Sequence, residues 1–360
     1  MDTISESSVI EIKTVEESRL PGADLDNPGF GKLFSDHMFE MEYRDGSWQV
    51  PRIRPYGTIE VTPALNVFHY GQSVFEGTKA YHVGDNTVNL FRPGKNIERM
   101  ENSCERMNIP KLDPDLVLEA IEQLIKLDYK WIPRKEGNAL YIRPLVIAFD
   151  PVIAAHSART FRCYIITSPV GSYYSKPVKL VTAEHFVRAV KGGIGEAKTA
   201  GNYAASMRPA QIANDMGYDQ VLWLDAFEHR YVEEVGTMNI FFKIDDVLIT
   251  RELSGTILPG VTRDSVIRLA RRWNIPVEER KLSIDEVMEA GRSGALQEVF
   301  GAGTAAVISP VESITHQDET VTIHEEGRGP LGQRLYDEIY GIQTGKREDP
   351  FNWVHSVEVG

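Results

Sequence analysis

Apolar residues recur every three or four positions in some parts of this chain and cluster without interruption in others. Ile97, Met100 and Cys104 follow Pro93-Gly94 at helical spacing, which predicts a helix with one apolar face. Runs rich in β-branched and aromatic residues predict strands instead. The elements predicted for the first half are helices over 96–107 and 115–129 and strands at 140–149 and 161–170.

The second half mixes both patterns. Its predicted strands arrive mostly in adjacent pairs with helices between them, which favours a mixed α+β fold over strict βαβ alternation. The predicted strands are at 178–182, 220–224, 238–244, 247–250, 277–280, 296–300 and 305–310, and the predicted helices at 204–216, 262–273, 283–290 and 332–342.

The length and the turn formers suggest two domains. A chain of 360 residues exceeds the usual size of one hydrophobic core. Turn-forming residues at 171–177 lie between two predicted strands and predict a linker. We therefore expect a small N-terminal α/β domain over 1–170, with a polar, irregular lead-in over 1–50 that builds no core. A larger C-terminal domain that carries Lys198 is expected over 178–360.

Composition excludes several functional classes. The net charge of −13 and the absence of a basic run longer than Arg271-Arg272 argue against a nucleic-acid partner. Cys104 and Cys163 are the only cysteines, and their separation predicts neither a disulfide framework nor a metal site. The acidic N-terminus and the lack of a long apolar run predict no secretory signal and no membrane span. We expect a cytoplasmic protein.

Lys198 is the only lysine in a run of small residues, which extends over 192–201. Glycine lets a backbone approach a flat ring closely, and burial lowers the pKa of a lysine so that its free amine attacks an aldehyde near neutral pH. Taken alone, glycines beside a lysine are more typical of a flexible surface loop.

The same run nearly matches the phosphate-binding loop of nucleotide hydrolases. Gly192 and Lys198-Thr199 have the spacing of that motif, and Asp225 ends an apolar strand as a magnesium-binding aspartate does. However, Ala197 replaces the second glycine, and Gly201-Asn202 stands where the helix of the motif must begin. A nucleotide hydrolase therefore remains a weaker alternative.

Other residues meet the needs of pyridoxal phosphate, which requires a lysine, a carboxylate for the ring nitrogen and anchors for the phosphate. Glu234 sits at a strand-like step before Val235-Gly236-Thr237, although the adjacent Glu233 is an alternative. Arg99 and the Pro-Gly turn that leads into the helix at Thr262 are candidate phosphate anchors. The segment 301–304 offers a further backbone approach for a phosphate or a carboxylate.

Nine segments together resemble the branched-chain amino-acid aminotransferases of the fold type IV pyridoxal-phosphate class, in order from about residue 30 to 310. The resemblance implies two domains with the cofactor between them, a homodimer, and no metal. The segments are YGQSVFEG (70–77), LFRP (90–93), YIRP (141–144), VKGG (190–193), GNY (201–203), QVLWL (220–224), EVGTMNIF (234–241), LPGVTR (258–263) and EVFGAGTAAV (298–307).

The resemblance also assigns roles to residues of this chain. It makes Lys198 the Schiff-base lysine and the base that moves the proton, and Arg143 the partner of the second carboxylate of glutamate. It implies that the cofactor is held by Arg99, Lys198, Tyr203, Glu234, Thr237, Val261, Thr262 and Thr304. It implies that the substrate is bound by Phe30, Tyr70, Phe75, Tyr141, Arg143, Tyr173, Gly303, Thr304 and Ala305, with Trp223 or its neighbours on the same side.

Two departures from the family pattern are visible. Some members have a CxxC pair after the Gly-Thr segment, whereas this chain has Ala306 and Ser309 there, so we expect no thiol switch. The spacing between Trp223 and Glu234 is one residue longer than expected, which leaves Glu233 as an alternative partner of the ring nitrogen. A D-amino-acid aminotransferase, an aminodeoxychorismate lyase and a non-catalytic binding protein are the rival interpretations.

Overall fold

The computed structural model describes residues 9–84, 86–171, 176–324 and 326–360. Contacts divide the chain into two units. The described residues of the first unit lie before position 172, in Ala197–Ala200 and in Ile342–Gly360, and those of the second lie in 176–196 and in Gly201–Gly341. The predicted linker includes 172–175, which are outside the described residues.

The helices and strands follow one another in mixed order. The first are β1 (Glu11–Ile12), β2 (His37–Arg44), β3 (Ser47–Trp48), β4 (Arg52–Pro55), α1 (Asn66–Tyr70), β5 (Ser73–Phe75), β6 (Thr78–Val83), β7 (Thr87–Phe91), α2 (Pro93–Arg106), α3 (Pro114–Asp128), β8 (Ala139–Ala148) and β9 (Phe161–Val170). They are followed by β10 (Val178–Thr182), α4 (Ala200–Asp215), β11 (Gln220–Leu224), β12 (Val232–Val235), β13 (Met238–Ile244), β14 (Val247–Thr250), α5 (Val261–Arg272), β15 (Val277–Glu279), α6 (Ile284–Ser293), β16 (Leu296–Gly303), β17 (Val307–His316), β18 (Glu319–Thr322), α7 (Pro330–Gln343) and β19 (Val354–Glu358).

The first unit is built on a sheet in which the described strands follow the order β1-β4-β2-β9-β8-β6-β7-β19, with β3 on β2 and β5 on β8. The apolar faces of α2 and α3 bury residues such as Met100, Cys104 and Leu124 in one core with alternate residues of the strands. On β8 these are Leu140, Ile142, Val146 and Ala148. Its intervening side chains therefore face away from that core.

The lead-in over the first fifty residues is more ordered than the sequence predicted. β2 pairs with both β4 and β9, and its Phe39 and Met41 are part of the core. The polar residues around this strand hid it, because Glu40 and Glu42 alternate with the buried side chains. The expectation that this segment builds no core was wrong.

The C-terminal segment also differs from its predicted assignment to the second domain. β19 forms an antiparallel pair with β7, and Trp353 stacks on Phe351 and packs edge-on against Phe91. The tail that had no predicted role thus completes an edge of the first sheet.

The second unit is built on a sheet whose described strands follow the order β12-β11-β10-β17-β16-β13-β14-β15. Because β12 also pairs with β13, the strands from β12 to β13 close into a ring. Phe242, Val287 and Ile314 lie in the hydrophobic core of this unit. The predicted strands at 178–182, 220–224, 238–244 and 247–250 match the observed bounds, whereas β16 and β17 extend beyond their predicted ends.

Helix α4 begins at Ala200, four residues before its predicted start. The objection to a phosphate-binding loop that relied on Gly201-Asn202 was therefore wrong, since a helix does start there. The substitution of Ala197 for the second glycine of that motif still stands. Among the residues that the structure describes, no helix combines the length and apolarity that crossing a membrane requires.

Candidate active site

The backbone around Lys198 is fixed by hydrogen bonds within the first unit. The Phe75 amide donates to the Lys198 carbonyl at 3.0 Å, and the Lys198 amide donates to Ser103 Oγ at 2.9 Å. Thr199 forms a β-bridge with Val74 and donates its hydroxyl to the Ser73 carbonyl at 2.6 Å. The backbone of Lys198 and Thr199 is therefore held between β5 and α2. This fixes the position from which the Lys198 side chain extends.

The Lys198 amine lies in an unusual environment. Nζ is 4.9 Å from the centre of the Phe75 ring, a cation-π distance. Lys198 as a whole residue is half-buried, but desolvation of its ammonium, helped by the charges of Arg99 and Arg143 and opposed by Glu76, lowers its pKa to about 8. A usable fraction of this lysine is a free amine near neutral pH.

Glu76 and Arg99 form a buried bidentate ion pair in this cluster. Arg99 Nε donates to Glu76 Oε1 at 2.7 Å and Nη2 donates to Oε2 at 2.9 Å. Burial raises the pKa of the Glu76 carboxyl, but the charge and hydrogen bonds of Arg99 outweigh it and keep that pKa below its usual value. The carboxylate therefore stays ionised.

Tyr141 and Arg143 project from β8 on the side away from the core. Arg143 Nη2 donates to Tyr141 Oη at 3.2 Å, and the guanidinium carbon lies 4.9 Å from the centre of the Phe75 ring. Phe30 packs edge-on against Tyr141 with ring centres 5.2 Å apart. Five predicted site residues of the first unit are thus brought together, namely Lys198, Phe75, Tyr141, Arg143 and Phe30.

Gly77 explains how close Tyr141 approaches the backbone. A Cβ added at this glycine would stand 1.8 Å from Tyr141 Oη, so Tyr141 can take this position only beside a glycine. Tyr70 lies elsewhere, at the C-terminal end of α1, where its side chain is 45% exposed. Tyr173 lies outside the described residues.

In the second unit, Glu233 and Glu234 are both buried, not solvated as an acidic pair usually is. Glu234 Oε1 accepts from the Leu258 amide at 2.8 Å and from Asn239 Nδ2 at 3.2 Å, and Oε2 lies 2.7 Å from Arg188 Nε. Glu233 accepts from the Thr256 hydroxyl at 2.6 Å, and burial raises its pKa.

The remaining predicted cofactor residues of the second unit lie at turns and helix starts. Val261 and Thr262 open α5 directly after Gly260, which places their amides in the first turn of the helix, the end at which a helix binds anions. Thr304 and Ala305 form the turn between β16 and β17, next to Gly303. Tyr203 lies in the first turn of α4, and Thr237 lies in the turn between β12 and β13.

Trp223 is not available as a wall for substrate. Its side chain is 1% exposed, packs with Ala183, Ala213 and Val221, and donates Nε1 to the Gly236 carbonyl at 3.0 Å. The expectation that Trp223 itself lines the substrate side was therefore wrong. It supports the turn that carries Thr237 instead.

Sequence reasoning assigned no role to Glu76 or Arg188. Glu76 is the one charged residue of the segment Tyr70–Gly77. A charged side chain at the end of an apolar strand needs a partner, and this could have indicated its role. Arg188 had no comparable signal, because its partner Glu234 is 46 positions away and only the folded chain brings them together.

Comparisons with known proteins identify the family of this chain. The family model of aminotransferase class IV matches residues 73–314. The chain is 52% identical over 352 residues to "Branched-chain-amino-acid transaminase 1" of Bacillus subtilis (strain 168), covering 96% of this chain and 98% of that protein.

Solved structures give the same result at lower identity. The branched-chain aminotransferase of Thermoproteus uzoniensis with norvaline has a TM-score of 0.73 at 26% identity, covering 88% of this chain and 98% of that one. A second branched-chain aminotransferase, complexed with N-(5'-phosphopyridoxyl)-L-glutamate, has a TM-score of 0.68 at 27% identity, covering 88% and 97%. The chain therefore belongs to the class IV aminotransferases, and within them to the branched-chain amino-acid aminotransferases.

Proposed function

We propose that this chain catalyses the reversible ping-pong transfer of the amino group of L-leucine, L-isoleucine or L-valine to 2-oxoglutarate, with pyridoxal 5'-phosphate as cofactor. The carrying observation is Lys198, a lysine with a lowered pKa on a backbone fixed from two sides. Its relatives are named as enzymes of this reaction class, and one of the solved relatives contains a phosphopyridoxyl group joined to glutamate.

The donor groups of the described residues fit this cofactor. Lys198 offers an amine that is partly uncharged near neutral pH, Glu234 a buried carboxylate, and α5 a helix start at Val261 and Thr262. Pyridoxal 5'-phosphate supplies an aldehyde and an electron-withdrawing ring. We assign its binding to Arg99, Lys198, Tyr203, Glu234, Thr237, Val261, Thr262 and Thr304.

Lys198 binds the cofactor and moves the proton of the substrate α-carbon through Nζ. A pKa of about 8 suits both tasks, since the amine gives up and regains a proton at little cost near neutral pH. The Phe75 ring, whose centre is 4.9 Å from Nζ, forms an apolar wall beside this amine. Glu234 faces the ring nitrogen in this proposal and keeps it protonated.

One substrate region accepts two kinds of side chain. The rings of Phe30, Phe75 and Tyr141 bury an apolar leucine, isoleucine or valine side chain. Arg143, which lies over both Phe75 and Tyr141, binds the second carboxylate of glutamate. We assign Tyr70, Tyr173 and the backbone of Gly303, Thr304 and Ala305 to the substrate as well.

We also propose a homodimer in the cytoplasm. Phe68 and Ile153 are 62% and 70% exposed, and the Asn66 amide at the start of α1 donates to the Asp150 carbonyl, so these apolar side chains lie on two joined segments. Such a surface suits a second copy of the chain.

Both cysteines are free thiols, as expected in a reducing compartment.

An absorbance spectrum tests the function. The purified protein with pyridoxal 5'-phosphate is expected to show a visible band that L-leucine removes and 2-oxoglutarate restores, and Lys198→Ala is expected to abolish both changes. Lys191→Ala is the matched control, because Lys191 is an exposed lysine seven positions before Lys198. A response to D-alanine in place of L-leucine would contradict the proposal and favour a D-amino-acid aminotransferase.

A further inference from the structure

The Glu76 carboxylate accepts four hydrogen bonds from three residues. Besides the two bonds from Arg99, Oε2 accepts from Asn96 Nδ2 at 3.0 Å and from the Gly77 amide at 3.0 Å. Both Glu76 and Arg99 are buried. Removing two charges from water costs free energy that their mutual attraction often does not recover, so a buried pair of this kind points to a role beyond packing.

The pair is joined to the Lys198 segment through the backbone on two sides. Phe75, the neighbour of Glu76, donates its amide to the Lys198 carbonyl at 3.0 Å. Ser103 accepts from the Lys198 amide at 2.9 Å and donates to the carbonyl of Arg99, one turn earlier on α2. Glu76 and Arg99 therefore keep a fixed placement relative to the lysine.

Charges of both signs act on the Lys198 amine. Arg99 from α2 and Arg143 from β8 disfavour its proton, whereas Glu76 and Tyr141 favour it, with desolvation as the largest effect. Without Glu76, a desolvated amine would share its surroundings with two guanidinium groups.

We propose that Glu76 is the counter-ion of Arg99 in this site and that it thereby lets the Lys198 nitrogen hold a proton beside two guanidinium groups. Glu76 is a positioning and charge-balancing residue, not a catalytic one. The inference rests on the proposed function, because the nitrogen is observed through the cofactor that Lys198 binds.

The test is the pH at which the visible band of the protein, saturated with pyridoxal 5'-phosphate, changes as the Lys198 nitrogen loses its proton. Glu76→Gln removes a negative charge and leaves Arg99 uncompensated, so the midpoint is expected to fall by about one unit or more. Arg99→Met removes a positive charge, so the midpoint is expected to rise. The double variant is expected to return close to the wild-type midpoint.

Glu40→Gln is the matched control. Glu40 forms an Arg–Glu pair with Arg54 at 2.8 Å in the same unit, and its loss is expected to leave the midpoint unchanged. A merely structural role of Glu76 would give single variants that shift in the same direction or not at all, which would overturn the inference. If Glu76→Gln does not fold, Arg99→Met decides, titrated at a pyridoxal 5'-phosphate concentration that saturates the site although it has lost one of its assigned anchors. An unchanged or lower midpoint then also overturns the inference.

If the proposed function itself is wrong, the expected spectra differ from those that would refute the role of Glu76. In that case the wild-type protein shows no band that depends on Lys198, whatever residue is present at position 76. A wild-type band with an unshifted midpoint in the variants refutes the charge-balancing role of Glu76 alone.

Discussion

Arg188 Nε lies 2.7 Å from Glu234 Oε2, and the side chains of both residues are at most 9% exposed. The same guanidinium donates to the carbonyls of Thr256, at 2.6 Å, and Gly195, at 3.1 Å. Arg188 is thus fixed by two loop carbonyls and in turn fixes Glu234, whose other oxygen is held by the Leu258 amide. The carboxylate that we assign to the ring nitrogen is therefore oriented by protein partners on both of its oxygens.

Arg188→Met is expected to lower the free energy of unfolding by about 3–5 kcal/mol, because it leaves a buried carboxylate without its cation. Chemical denaturation of the purified variant measures this change. Arg230→Met is the control, since the Arg230–Asp285 pair is more than half exposed on both sides and its loss is expected to cost at most about 1 kcal/mol. Equal losses in the two variants would contradict the prediction.

Glu234→Gln is expected to reduce transamination about 100-fold or more, because the ring nitrogen loses a preorganised anionic partner. Glu233→Gln is expected to leave the rate nearly unchanged, since a glutamine still accepts from the Thr256 hydroxyl. Single-turnover rates with L-leucine distinguish the two variants. A large loss only at position 233 would assign the ring nitrogen to Glu233 instead.

Arg143→Met is expected to affect the two substrates of the reaction unequally. The loss of a charge-assisted bond to the second carboxylate is expected to lower kcat/KM for L-glutamate about 10- to 100-fold. For L-leucine, which has no second carboxylate, the value is expected to change little. Half-reaction kinetics with each amino acid measure the ratio, and a proportional loss for both would argue against this role of Arg143.

Gly77→Ala is expected to displace Tyr141, because the added Cβ would stand 1.8 Å from Tyr141 Oη. A displacement of this size in a substrate region is expected to lower kcat/KM about 10- to 100-fold. Gly94→Ala on α2 is the control, since a Cβ there meets no atom within 4 Å. If the Gly77 variant retained full activity, Tyr141 would have no part in substrate binding.

Lys79 predicts a pH dependence of stability. Burial lowers its pKa from 10.5 to about 8, so between these values the unfolded chain binds the extra proton and the contribution of Lys79 to stability rises with pH. The stability of Lys79→Met relative to wild type is therefore expected to fall from pH 8 to 10.5, by up to about 1.4 kcal/mol per unit. Denaturation curves at several pH values, with Lys346→Met as the exposed control, test this, and a flat difference would contradict it.

Local pattern was enough for most of the regular structure and failed where burial came from distant partners. The strands at 178–182 and 238–244 were predicted with their observed bounds, because uninterrupted apolar runs are a local signal. β2 was missed because its glutamates make the segment polar. Its alternate apolar residues are buried only once the strand pairs with β4 and β9. β19 was missed for the same reason, as a tail becomes a strand only when β7 offers it an edge.

The sequence by itself determined the aminotransferase family and predicted Lys198 as its cofactor lysine, because that chemistry requires a few residue types at spacings that survive in a linear motif. Tertiary structure decided which charges meet. The pairs Glu76–Arg99 and Arg188–Glu234 join residues 23 and 46 positions apart, and the pKa of Lys198 depends on neighbours from α2 and β8. Electrostatic interactions act through space, so their partners are defined only once the chain has folded.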